Sequence, residues 1–128
     1  MAEIESSMSA TIAALNAQTT RLRLASENLA NVDTPGYRRK TVSFDTFRLD
    51  QDPVLGAGKV RLDQSELQEI YDPTHPLADA RGTVQGSNVN MLVELADARE
   101  AQRSYEANLK MFDQARSMAS SLIALLRR

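Results

Sequence analysis

Two stretches of this chain, Glu3–Ala30 and Asn90–Leu126, hold neither glycine nor proline, and the five glycines and four prolines concentrate between them. These residue types end helices, glycine through its backbone freedom and proline through its missing N–H. The partition predicts two long helices joined by a non-helical insert. At 1.5 Å per residue the first would run about 42 Å and the second about 55 Å. Each is longer than a compact domain of 128 residues is wide.

The apolar pattern supports the same division. Met8, Leu15, Leu22 and Leu29 recur every seventh residue, with Ile12 close by. Ile4, Ala25 and Val32 form a flanking row that Thr11 and Gln18 interrupt. In the second stretch Met91, Leu95, Ala98, Tyr105, Leu109, Phe112, Ala119, Leu122 and Leu126 recur at helical spacings. The expectation is a mainly α fold in which two long terminal helices pack as an antiparallel, coiled-coil-like pair. Met8, Ile12, Leu15, Leu22 and Leu29 are expected to pack with Leu109, Phe112, Met118, Leu122 and Leu126, with Tyr105 on the same stripe. Asn88 or Asn90 can cap the second helix, and Glu94 and Asp97 suit its positive end. So thin an object leaves apolar surface for neighbours.

Residues 1–36 are read as a helix and turn, 37–87 as a small β-rich or irregular insert, and 88–128 as the second helix; the two ends form one axial helical domain. Within the insert, "TVSFDTF" alternates Val42 and Phe44 as a short strand. "KVRL" is expected to pair with "ELQEIY" across Asp63-Gln64, and "GAG" at 56–58 and "QDP" at 51–53 read as loops. Asp72-Pro73 and His75-Pro76 restrict what reads as an extended linker to the second helix.

The first helix stops at "NVDTPGYR". Thr34-Pro35-Gly36-Tyr37 fits a type II turn, with Pro35 presetting a negative φ and Gly36 taking a positive one. Asn28 and Asn31 lie one helical turn apart just before it, and Asn31 can adopt the left-handed helix-ending conformation.

The residues argue against several functions. Fifteen basic and 17 acidic residues give a net charge of −2 with no strongly biased segment, which disfavours electrostatic capture of nucleic acid. "YRRK" at 37–40 is too small a basic cluster to change that. There is no cysteine, and the single histidine, His75, has only the loop carboxylates Asp72 and Asp79 nearby, so no metal site is expected. No catalytic residues, cofactor-binding loop or small-molecule site can be named. The N-terminus lacks the apolar core of a cleavable secretory signal, and no segment is apolar enough to span a bilayer. Asp97, Arg99, Glu100, Arg103 and Glu106 read as a solubilising face of local ion pairs.

"ASENLANVDTPGYRRK" resembles the "SNxANxxTPGY" signature of the flagellar rod and hook axial proteins. "YDPTHPLADARGTVQGSNVN" is similar to a segment of the FlgC family of proximal-rod proteins, matching at Asp72, Pro73, Pro76, Asp79, Asn88 and Val89, with Leu77 inside the same linker motif. "AREAQRSYEANL" resembles that family's "ASRSYQAN", with Tyr105 and Asn108 in place. Thr83 and Ser87 depart from the usual Tyr and Pro. The resemblance spans nearly the whole chain and implies a structural subunit of the proximal rod in the periplasm. It also implies passage through the flagellar type III export apparatus without a cleaved signal, and helical assembly with other copies and other rod proteins. Asn28, Asn31, Thr34, Pro35, Gly36 and Tyr37 would form its helix-to-insert junction. A second reading of the same stripes is a soluble helical adaptor that binds one partner helix.

Overall fold

The computed structural model describes residues 2–49 and 52–128. Helix α1 spans Ala2–Ala30, strands β1 and β2 span Lys40–Leu49 and Asp52–Leu62, short strands β3 and β4 span Glu69–Tyr71 and Thr83–Gln85, and helix α2 spans Met91–Leu126. The two glycine- and proline-free stretches are therefore the two helices. β1 pairs antiparallel with β2 and β3 antiparallel with β4, giving two separate two-stranded sheets.

The helices pack side by side. Asn28 meets Glu94, Arg21 meets Asp97 and Glu100, and Ser7 shares a groove with Lys110, Met111 and Met118. The β1–β2 hairpin covers a second side of α1, where Leu24 and Ala25 line one pocket with Thr41 and Val42. Covered on two sides, α1 buries Thr11, Ala17, Gln18, Leu24, Ala25 and Asn28, whereas α2 buries only Glu94, Ala101 and Ala115.

Leu24 apart, the buried residues of the two helices are thus small or polar. Ala101 is 0% exposed, and Thr11 turns its hydroxyl back onto the Ser7 carbonyl. No donor among the described residues reaches the buried Oε1 of Gln18. Met8, Leu15, Leu22, Leu29, Tyr105 and Phe112 are half-buried, while Ile12, Leu109, Met118, Leu122 and Leu126 are exposed. On α2 the alanines Ala101 and Ala115 hold buried positions, and the large apolar residues are half-buried or exposed.

The insert departs from its sequence reading in three respects. The "KVRL" segment pairs with β1, through Val42 opposite Val60 and Lys40 opposite Leu62, not with "ELQEIY". Gly56, Ala57 and Gly58 lie within β2, as do Asp52 and Pro53; Gln51 of the expected loop lies outside the described residues. A Cβ on Gly58 would stand 2.1 Å from the Asp45 carboxylate, and one on Gly56 would stand 2.9 Å from the Phe47 ring. Those glycines are close-approach positions beside a register shift between Val42 and Phe44, not turn residues.

The third departure is the expected extended linker, which is a folded loop joining β3 to β4. The Asp72 carboxylate accepts from the Thr74 amide at 3.2 Å and hydroxyl at 2.8 Å, and His75 Nδ1 accepts from Leu77 N–H at 3.1 Å. The Asp79 carboxylate accepts from the Arg81 and Thr83 amides, each at 2.9 Å, and Gly82 takes φ +77°. Pro73 and Pro76 sit in these turns rather than stretching the chain, and Leu77 is exposed. Among the described residues no group of His, Asp or Glu is arranged to hold a metal ion, and no helix is long and apolar enough to cross a membrane.

Candidate functional site

The end of α1, the start of β1, the approach to α2 and the first turn of α2 converge on one polar junction. The Thr34–Tyr37 turn opens it. The Tyr37 amide donates to the Thr34 carbonyl at 3.2 Å, and Gly36 has φ +74°, the geometry expected of "TPGY". The Gly36 amide donates to the carbonyls of Gln85 and Gly86, each at 3.1 Å, tying the turn to β4. Asn31 continues the helix by donating its amide to Glu27 O at 3.2 Å, while its side chain donates to the same carbonyl and accepts from the Thr34 hydroxyl.

Asn28 is the centre of the junction and is 1% exposed. Its Oδ1 accepts from the Tyr37 hydroxyl and from the Lys40 amide, each at 2.9 Å. Its Nδ2 donates to the Lys40 carbonyl at 2.9 Å and to Glu94 Oε2 at 3.3 Å. Only a side chain with both an acceptor and a donor satisfies this set. It fixes where β1 leaves α1 and where α2 begins.

Glu94 is likewise 1% exposed and receives the Nε–H of Arg39 as well as Asn28. Arg39 also donates to Asp97 at 2.8 Å, and Arg21 reaches Asp97 at 3.4 Å and Glu100 at 3.0 Å. Burial opposes the Arg39 charge, but the hydrogen bond and charge of Glu94, with Asp97 and Asp63, outweigh it and raise the guanidinium pKa. Burial, then Glu27 and Glu94, raises the Tyr37 phenol and keeps it a donor. The Ser65 amide and hydroxyl hold the Asp63 carboxyl below its ordinary value. Lys40 pairs with Glu27, whose hydrogen bond raises the ammonium pKa.

Asn88 and Ser87 complete the frame. Asn88 Oδ1 accepts from the Arg39 amide at 2.6 Å, and its Nδ2 donates to the carbonyls of Asp63 and Ser65. The buried Ser87 hydroxyl donates to the Val32 carbonyl, which a proline at that position could not do. Val89 is buried beside it, and the Asn90 side chain, not that of Asn88, caps α2 by accepting from the Leu92 and Val93 amides.

The structure therefore joins Asn28, Asn31, Thr34, Gly36 and Tyr37 to Asn88 and Val89, and adds Arg39, Lys40, Ser87 and Glu94. It keeps Asp72, Pro73 and Pro76 in the β3–β4 loop; Asp79 and Leu77 share a groove with Pro35 and Gly36. Asp97 and Glu100 pair across elements with Arg21 and Arg39 instead of forming a purely local face. Asn108 bonds its own helix through the Ser104 carbonyl. The signal for Glu94 was an acid in a first helical turn with an unpaired Arg-Arg-Lys run elsewhere, which sequence distance kept apart.

The turn yields one direct expectation. A Cβ on Gly36 meets nothing within 4 Å, so any penalty there is backbone strain at positive φ alone. Gly36→Val will lower the unfolding free energy by about 2 kcal/mol, and Gly36→Asn by less, since Asn tolerates the left-handed region. Urea titrations of the two variants separate strain from crowding; equal losses would contradict the turn's role.

Both ends of the chain are similar to known flagellar rod proteins. Residues 5–38 match the family "Flagella basal body rod protein", and residues 80–125 match "Flagellar basal body rod FlgEFG protein C-terminal". The chain is 46% identical over 125 residues to the flagellar basal-body rod protein FlgC of Agrobacterium fabrum, covering 88% of each. It is 35% identical over 123 residues to FlgC of Salmonella typhimurium, covering 88% of this chain and 90% of that one. With FlgC of Bacillus subtilis it shares 35% identity over 136 residues, covering 88% and 91%.

Proposed function

The chain belongs to the FlgC family of flagellar basal-body rod proteins, and from that premise we propose that it is a purely mechanical subunit of the proximal rod, built into the wall by its two terminal helices. The carrying observation is that rod-family similarity covers both helical ends and the junction between them. Residues 1–36 and 88–128 act as one axial domain, an antiparallel and coiled-coil-like pair, and 37–87 form the insert on its side. Support for antiparallel packing comes from the contact order, in which Asn28 lies beside Glu94 and Ser7 near Met111 to Met118.

The mechanism follows from stiffness. A helix resists bending when its hydrogen-bond ladder is continuous and its sides are locked by neighbours. Here α2 offers exposed Leu109, Met111, Met118, Ile123 and Leu126 to such neighbours, and α1 offers Ile12. The Asn28–Glu94–Arg39 junction holds the insert at a fixed angle to that shaft, so torque passes between helices and insert without a hinge. Copies of this chain and other rod proteins are its partners, and it reaches the periplasmic rod through the type III export apparatus without a cleaved signal.

An epitope-tagged chain purified with flagellar basal bodies tests this reading. The tag is expected in the rod fraction, and deletion of the chain is expected to leave basal bodies without a rod. Complete rods in the deletion strain would overturn the proposal.

A further inference from the structure

One hydrogen bond in the β3–β4 loop differs in kind from its neighbours. The Asp72 carbonyl accepts from the His75 amide at 3.1 Å, the His75 carbonyl from the Ala78 amide at 3.0 Å, and the Gly82 carbonyl from the Asp72 amide at 2.9 Å. The Asp72 and Asp79 carboxylates accept from the amides of Thr74, Arg81 and Thr83. Carbonyls and ionised carboxylates accept at any pH near neutral. The Leu77 amide instead donates to His75 Nδ1 at 3.1 Å, and among the described residues it has no backbone acceptor.

Only a neutral ring can accept there. With its proton on Nε2 the ring offers a lone pair at Nδ1; once charged, both nitrogens are donors and Nδ1–H faces Leu77 N–H. Imidazole is the side chain whose charge ordinarily changes between about pH 5 and 8. His75 is the single histidine of the chain, so no second imidazole titrates beside it. Tyr71, Asp72 and Asp79 are the titratable groups within four residues of it, and Arg81 is the cation of the loop. On the junction side, Leu77 and Asp79 share their groove with Pro35, Gly36, Thr83, Val84 and Gln85, none of which titrates. The charged ring therefore has two carboxylates of its own loop to turn to, and no charge from the turn or from β4 to oppose the move.

We propose that His75 is a proton-operated catch, whose neutral ring pins the Leu77 backbone and whose protonation frees Leu77 and loosens the groove beside Pro35 and Gly36. The inference goes beyond the rod reading and does not depend on it. The sign follows from the acceptor: the bond holds while the ring is neutral and is lost as pH falls through the titration of the ring. Leu77 is 66% exposed, so little packing holds it once the bond is gone. The freed amide meets water, which makes the response a local loosening and not an unfolding of the chain.

Nuclear magnetic resonance of the nitrogen-15-labelled full chain, titrated from about pH 7.5 to about pH 5, reads the catch directly. The neutral ring is expected as the Nε2–H tautomer, and the Leu77 amide signal should move with the same midpoint as the His75 ring protons. Protection of that amide from exchange should fall about two- to tenfold on acidification, as for one net hydrogen bond. The Gly36 and Thr83 amides across the groove should follow with the same midpoint. His75→Asn keeps an acceptor two residues before the amide without titrating, so its Leu77 and Gly36 signals should hold their neutral-form positions throughout. His75→Phe has no acceptor at any pH and should show the acid-form protection of Leu77 throughout. A Leu77 amide that stays flat in the parent chain, an Nδ1–H tautomer, or the same titration persisting in His75→Asn would overturn the catch. Movement of Leu77 with Gly36 and Thr83 unmoved would overturn its reach into the groove. Every readout is made on the unassembled chain, so failure here leaves the rod reading standing, and rods that form without this chain leave the catch standing.

Discussion

Arg39→Met will destabilise the folded chain by about 3 kcal/mol, the low end of the range for removing one partner from a buried ion pair, because Arg39 is itself 22% exposed. Glu94 is 1% exposed, and Arg39 is the only cation among its described partners. With the guanidinium gone, its carboxylate is left with a single amide donor, from Asn28. A methionine fills much of the volume but donates nothing. The fold can respond only by protonating Glu94 or opening the junction to water, and both are costly near neutral pH. Urea unfolding at pH 7 measures the loss. Adding Glu94→Leu to Arg39→Met should restore most of the stability, because a well-packed apolar pair has no charge to strand. A single Arg39→Met variant within 1 kcal/mol of the parent would mean that Glu94 is not held as described.

This junction also shows how far a sequence can be read. The turn at Thr34–Tyr37 was legible because its chemistry is local: proline sets one dihedral, and glycine alone takes the next without strain. The helices were legible because glycine and proline avoid them. Glu94 was legible only as an acid at the positive end of a dipole, since its true partner is 55 residues away, just before β1. The glycines at 56 and 58 misled for a related reason. A glycine that opens a turn and one that makes room for Phe47 or Asp45 across a ladder look the same until the pairing is known. The stripe argument placed the large apolar residues in the seam between the helices. The structure instead buries Thr11, Ala17, Gln18, Leu24, Ala25 and Asn28 on α1 and Glu94, Ala101 and Ala115 on α2, because α1 is also gripped by the hairpin. The leucines and methionines beside the seam are then available outside the molecule, which suits a subunit more than a self-contained domain.

Asn28→Leu is expected to cost about 4 kcal/mol and to abolish motility. Leucine has nearly the shape of asparagine, so the loss comes from polarity. The Tyr37 hydroxyl, the Lys40 amide and the Lys40 carbonyl each lose a partner, and Glu94 loses its amide donor. A buried group left unpaired costs about 1–3 kcal/mol, and local relaxation recovers part of the sum. Tyr37→Phe, which removes one donor and leaves Asn28 an unfilled acceptor site, should cost only about 1 kcal/mol. The decisive measurement is the double variant Asn28→Leu with Arg39→Met. Both substitutions act on the same carboxylate, so once one has stranded Glu94 the other has less left to disrupt. The double variant should fall short of the sum of the single losses by about 1–2 kcal/mol in urea titrations. Strict additivity would show two independent polar contacts that merely lie close together, and the rigid link between the shaft and its insert would then need another source.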